Sequence, residues 1–227
     1  MPLKRPNLRK VFSSPSVLIQ RKEVWTLTAQ GWGLVLLSCV ASLIFIASQT
    51  YPFLAVNAAI PAKVLVVEGW LPDYALEQAI AEFNAGQYQK LITTGIPLER
   101  GYYLSRYKTL AELGASTLIA LGFDPDQLVA VPAPYVERYR TGTSAISVKK
   151  WLMASRSTVK SINLFTLGTH ARRSWLTFQR VMAPEIAVGV ITVRPQEYDP
   201  GHWWKSSAGV KAVLTEVISF IYTYFVE

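Results

Sequence analysis

At 227 residues and 51% hydrophobic content, the chain holds enough apolar material for one full domain plus an appendage, which excludes a largely disordered protein. The net charge of +8 is uneven: residues 1–30 carry Lys4, Arg5, Arg9, Lys10, Arg21 and Lys22 against Glu23 alone, so five of the eight charges lie there. A basic tail on a nearly balanced remainder is no nucleic-acid footprint, which would need a basic face on the domain itself.

The tail leads into a stretch from Val24 to Ala62 without a single Asp, Glu, Lys or Arg. Within it, residues 31–48 are long and apolar enough for a transmembrane helix, with Trp25 and Trp32 near one end and Tyr51 near the other. Positive charge on the N-terminal side predicts a single-pass membrane protein, its basic tail (1–30) cytoplasmic and its bulk extracytoplasmic. A cleaved signal peptide, with Val56-Asn57-Ala58 at the cleavage point, is the competing reading; the long basic region and long apolar run weigh against it. Cys39, the only cysteine, lies inside the apolar run, so neither an intramolecular disulfide nor a cysteine metal site is open to the chain.

Residues 49–62, with Pro52 and Pro61, read as a tether, and residues 63–227 as the domain. Lys63 to Glu68 is a strand, followed by a helix carrying Leu76, Ala79, Ile80 and Phe83 at helical spacing and ending at Gly86. Lys90 to Thr94 is a second strand; a helix from about Leu104 to Leu121 follows, and Asp124-Pro125-Asp126 turns into a third strand, Leu128 to Val131. Thr141 to Ala154 is helical. Ile162 to Leu167 is a fourth strand, Thr169 to Met182 its helix, and Ile186 to Val193 a fifth strand. Strict alternation predicts an α/β fold: a three-layer Rossmann-like domain with a mainly parallel five-stranded sheet, preceded by the transmembrane helix. The last helix, from about Ser207, sets Val210, Val213, Leu214, Val217, Ile218, Ile221, Tyr224 and Phe225 on a packing stripe, with Lys211, Glu216 and Ser219 away from it.

In a parallel sheet the loops after each strand converge on one edge, where ligands bind. They bring Glu68, Gly69 and Trp70; Thr94 and Gly95; Glu137, Arg140 and Thr141; Gly168, His170, Arg172 and Arg173; and Arg194 with Glu197. Hydroxyls, cations and helix N-termini suit a phosphate or another anion. Here Arg173, with the turn amides near Gly168, holds the anion, Thr94 and Thr141 hydrogen-bond it, His170 gives or takes a proton, and Glu68 is the base. The bland alternative is that Arg173 pairs with a carboxylate and His170 caps the turn. No G-x-G-x-x-G, Walker lysine motif or G-x-S-x-G elbow is present, and His170 and His202 share no metal motif, so no metal is expected. His202-Trp203-Trp204-Lys205 packs at the base of the final helix or meets lipid headgroups.

The stretches VLVVEGW, LITTGIP, ERYRTGTSAIS and TLGTHARRSW resemble the YdcF, SanA and ElyC family of bacterial envelope proteins, over roughly Lys63 to the C-terminus. His170 and Arg173 match the family's H-x-x-R spacing, and Thr141 its threonine. The chain departs from the pattern at Glu68, where glycine is usual, and at Thr143 and Ser144, where many relatives have Glu and Asn. The resemblance implies a Rossmann-like fold and, for membrane-anchored members, a role in cell-envelope or peptidoglycan biogenesis. S-adenosylmethionine is associated with the soluble branch; an extracytoplasmic domain stands apart from that pool, so no cofactor is expected.

The expected function is therefore an envelope-biogenesis protein that binds an anionic precursor, phosphate-bearing or polyprenyl-linked, and hydrolyses or transfers from it. Its partners would be the lipid bilayer, that precursor and other envelope proteins, with no nucleic acid. The alternative is a non-enzymatic envelope module holding a partner through Trp70, Trp203 and Trp204. A cytoplasmic nucleotide-binding enzyme would require the opposite topology.

Overall fold

The computed structural model describes residues 24–155 and 159–226. The basic tail expected over 1–30 lies outside the described residues as far as Glu23. Two compact units divide the chain, Met1–Leu43 and Ile44–Glu227.

The described part of the first unit is mostly helical. Helix α1 starts there and runs over Ala29–Leu54, past the expected end at residue 48 and through Pro52. It is long and apolar enough to cross a membrane.

In the second unit five strands, β1 (Val64–Glu68), β2 (Lys90–Gly95), β3 (Leu128–Pro132), β4 (Ser161–Leu167) and β5 (Ala187–Val193), form one sheet in the order β3-β2-β1-β4-β5. Every neighbouring pair is parallel. The α/β architecture with its parallel sheet is thus as the alternation predicts. Strand side chains alternate between two packed faces, which is why the strands read as continuous apolar runs. Val64, Val66, Ile162, Leu164 and Val188 face helices α4 (Arg140–Ala154) and α5 (Ala171–Met182), meeting Val148, Leu152, Phe178 and Met182. Leu65, Val67, Leu91, Phe165 and Ile191 face α2 (Asp73–Ala85) and α3 (Leu110–Ala120), meeting Leu76, Phe83 and Leu118.

Helix α3 begins at Leu110, not near Leu104. Thr109 and Glu112 form a reciprocal capping box that fixes the start. Residues 97–109 form a loop closed at its base by the Pro97–Thr109 bridge. The expected tether is held down as well. Ala58 pairs antiparallel with Val190 on edge strand β5, and the Asn163 side chain on β4 both accepts from Ile60 N (3.0 Å) and donates to Ile60 O (2.8 Å).

Helix α6 (Ser207–Val226) also has the length and hydropathy of a membrane span. Its inner face is bound to the domain: Arg180 donates to the carbonyls of Thr223 (2.7 Å) and Tyr224 (3.2 Å), and Val213 is buried with Leu54 and Trp203. The expected packing stripe is only partly right, because Leu214, Ile218, Ile221, Tyr224 and Phe225 are exposed while Glu216 turns inward. Apolar residues surround most of this helix, so periodicity alone did not identify its inner side. Trp203 packs at the base of α6 and donates to Ala47 O at 3.0 Å; Trp204 is exposed.

Candidate functional site

Strand order reverses between β1 and β4, since β2 and β3 lie on one side of β1 and β4 and β5 on the other. A crevice opens there beyond the carboxyl ends of the strands. Glu68 is the last residue of β1; His170 follows β4 within a short 3-10 turn, Gly168–His170. Gly168 has φ +50°, a left-handed conformation that bends the chain sharply from strand into helix.

Four charged side chains converge at the floor. The Glu68 carboxylate is 95% buried and accepts from Thr166 Oγ1, from Ser174 Oγ at 3.0 Å, and lies 3.5 Å from His170 Nε2. On the other side of the ring, His170 Nδ1 is 2.9 Å from Glu216 Oε1. Arg173 donates from Nε to Glu216 Oε2 at 2.8 Å and from Nη2 to Oε1 at 3.0 Å. The rings of Trp70 and His170 meet edge to face, centroids 5.1 Å apart.

Burial alone would lower the His170 pKa, but the Glu68 charge and hydrogen bonds to Glu216 and Glu68 outweigh it and push the value up to about 9. Burial would raise both carboxyls. Hydrogen bonds from His170 and Arg173 instead bring Glu216 down to about 2, and the His170 charge with bonds from His170, Thr166 and Ser174 holds Glu68 below the usual carboxylate range. At neutral pH the cluster therefore carries two anions and two cations. Glu216 holds Nδ1, and Nε2 lies against Glu68 at the longer distance of 3.5 Å, so Nε2–H is the less tightly held of the two ring protons.

A cleft of about 880 Å³ opens above this floor. Of the residues the sequence brings to the sheet edge, Glu68, Thr94, Gly95, Arg140, Thr141, His170 and Arg173 line it together. Gly168 lies instead in an adjoining pocket of about 400 Å³, which shares Trp70 and His170 with the cleft and is also lined by Glu216. Individual roles differ from expectation. Thr94 spends its hydroxyl on Val131 O (3.2 Å), and Arg140 pairs at the exposed rim with Glu99 (2.6 Å). Arg172 turns away, its guanidinium 4.1 Å from the centre of the Phe53 ring, and Arg194 pairs with Asp199 at 2.9 Å.

Sequence reasoning missed Glu216, although it is the only charged residue between Ala212 and Val226 and a lone carboxylate on so apolar a helix requires a buried partner. It also missed Ser144 and Tyr139, which line the cleft at the start of α4. No group of three or more His, Cys, Asp or Glu suited to a metal occurs among the described residues. No protein-family model and no curated protein matches the chain.

Proposed function

We propose that the chain is a single-pass envelope-biogenesis protein of the YdcF, SanA and ElyC type, anchored in the inner membrane with its α/β domain outside the cytoplasm. In this reading the cleft at the β1/β4 crevice binds a phosphate-bearing envelope precursor and cleaves its phosphoester bond, passing the phosphoryl group to water or to an acceptor hydroxyl. The observation that carries it is His170: an imidazole at the floor of a large cleft, held protonated between two carboxylates with Nε2–H the less tightly bound side. Such a group is a general acid at neutral pH, suited to protonating a leaving oxygen. Glu68, whose oxygens already accept from Thr166 and Ser174, orients that imidazole rather than serving as a base. The basic N-terminal segment and the charge-free helix after it support the topology.

The test uses the full chain in detergent micelles with a short-chain polyprenyl phosphate, following release of inorganic phosphate. Turnover lost in His170→Gln while the variant remains folded at the assay temperature supports the reading; turnover unchanged in that variant overturns it. One observation favours a second reading, a non-enzymatic partner-binding module: the four charges of the cluster neutralise one another without a ligand. A folded parent that binds the phosphate without turning it over would favour that module.

A further inference from the structure

We propose that the cleft contains a phosphate subsite at the N-terminus of α4, formed by the first-turn amides and the hydroxyls of Thr141 and Ser144. The inference rests on the functional reading above and specifies its binding half.

Helix α4 is 15 residues long, begins without a side-chain cap, and has no acidic residue in its first turn. Its N-cap, Tyr139, is the one non-glycine residue with positive φ among the described residues (φ 58°, ψ 38°). The first intrahelical bond runs from Thr143 N to Tyr139 O, so the amides of Arg140, Thr141 and Gly142 have no intrahelical acceptor. The positive end of the helix dipole adds to them. An open helix start alone would not identify a ligand site.

The second observation is Ser144. It is 92% buried, lines the cleft, and makes no hydrogen bond among the described residues. No sealed side-chain polar atom lacks a partner among the described residues, so the unbonded Ser144 oxygen is open to the cleft it lines and free to meet a ligand acceptor there. Thr141 lies three residues earlier and therefore on the same helical face, and side chains on a helix lean towards its N-terminus. Both hydroxyls thus sit on the cleft side of the same helical turn as the open amides. The Tyr139 ring covers Gly142, where any Cβ would meet it, and closes one wall.

Three amides and two hydroxyls offer more donors than the two oxygens of a carboxylate take up readily, and suit the three terminal oxygens of a phosphate monoester. Arg173 is committed to Glu216 through two of its nitrogens. Cationic attraction comes from the rim instead, where Arg100 and Arg138 line the cleft without an ion pair among the described residues.

The experiment titrates the full chain in detergent micelles with inorganic phosphate, by calorimetry, for the parent, Thr141→Val and Ser144→Ala. Each substitution is expected to weaken binding about tenfold, the loss typical of a hydrogen bond to a charged group. Because the Ser144 hydroxyl has no protein partner, Ser144→Ala should unfold at the parental temperature or above; a marked drop would overturn the proposal by making the hydroxyl structural. Parental affinity in both variants, or no binding by the parent, would overturn it as well. Polyprenyl phosphate turnover is scored in parallel. Ser144-dependent phosphate binding without turnover supports the subsite and overturns the catalytic reading, whereas turnover with parental affinity in both variants overturns the subsite alone.

Discussion

His170 Nδ1 and Glu216 Oε1 lie 2.9 Å apart, although 46 residues separate them in the chain. The same oxygen accepts from Arg173 at 3.0 Å. One carboxylate from the C-terminal helix thereby orients two cations of the β4–α5 turn, and the position of the acid depends on the docking of α6.

Replacing Glu216 with Gln should lower the His170 midpoint from about 9 by about one pH unit or more, because one of its two anionic neighbours is gone. It should also cost the fold about 3 kcal/mol, the usual penalty for breaking a buried pair from one side. The chain has two histidines, so carbon-13-labelled histidine gives two titration curves by NMR, and His202→Gln assigns them. An unchanged His170 midpoint in Glu216→Gln would refute the coupling.

Stability should depend on pH with a definite sign. The folded-state pKa of His170 is raised from 6.5 to about 9, so its contribution is complete below about pH 6.5 and lost as pH rises through 9. That of Glu216 is lowered from 4.5 to about 2, so its contribution is complete above about pH 4.5 and lost as pH falls through 2. The cluster stabilises most between those limits, and the alkaline loss is on the order of 3 kcal/mol. Urea midpoints measured from pH 6 to 10 should fall for the parent and fall much less for His170→Gln. Parallel curves would remove His170 from the alkaline transition.

Much of the fold was legible because parallel strands buried on both faces leave uninterrupted apolar runs, and Ser161 to Leu167 is such a run. The sheet-edge rule then placed Glu68, Thr94, Thr141 and His170 in one cleft before any geometry was known. It did not give their partners. Arg173 follows the bland expectation of pairing with a carboxylate, but that carboxylate is mostly buried on α6, and no local pattern joins positions 173 and 216. The start of α3 could have been read from Thr109-x-x-Glu112; the apolar Leu104, almost fully exposed, extended the apparent helix into the loop. The clamp on the tether was hidden because Asn163 stands in a strand and acts on a segment 103 residues away.

Asn163→Ala should free that segment. The substitution removes both bonds to Ile60 and a third to Tyr88 OH at 2.8 Å, leaving part-buried backbone groups without partners. A loss of about 2 kcal/mol and faster proteolysis between residues 55 and 62 are expected, with cleavage elsewhere unchanged. Parental cleavage kinetics at this segment would show that the Ala58–Val190 bridge and the Ser161 bond to Pro61 O hold it without Asn163.

Two glycines separate steric from backbone causes. At Gly101 φ is +72° and the space beyond is open, so Gly101→Ala should cost about 1 kcal/mol through backbone strain alone. Gly69, next to Glu68, has no such φ, yet a Cβ there would strike the Leu110 carbonyl, and Gly114 of the same helix also packs closely on Gly69. That wall is backbone and cannot be relieved by a change of rotamer. Gly69→Ala should therefore push α3 from the end of β1 and cost about 2 kcal/mol or more. It should also move the Trp70 ring away from His170, so that the His170 midpoint shifts along with the urea midpoint. Equal losses in the two variants, with His170 unmoved in both, would mean that α3 shifts freely and that its contact with Gly69 does not set the geometry of the site.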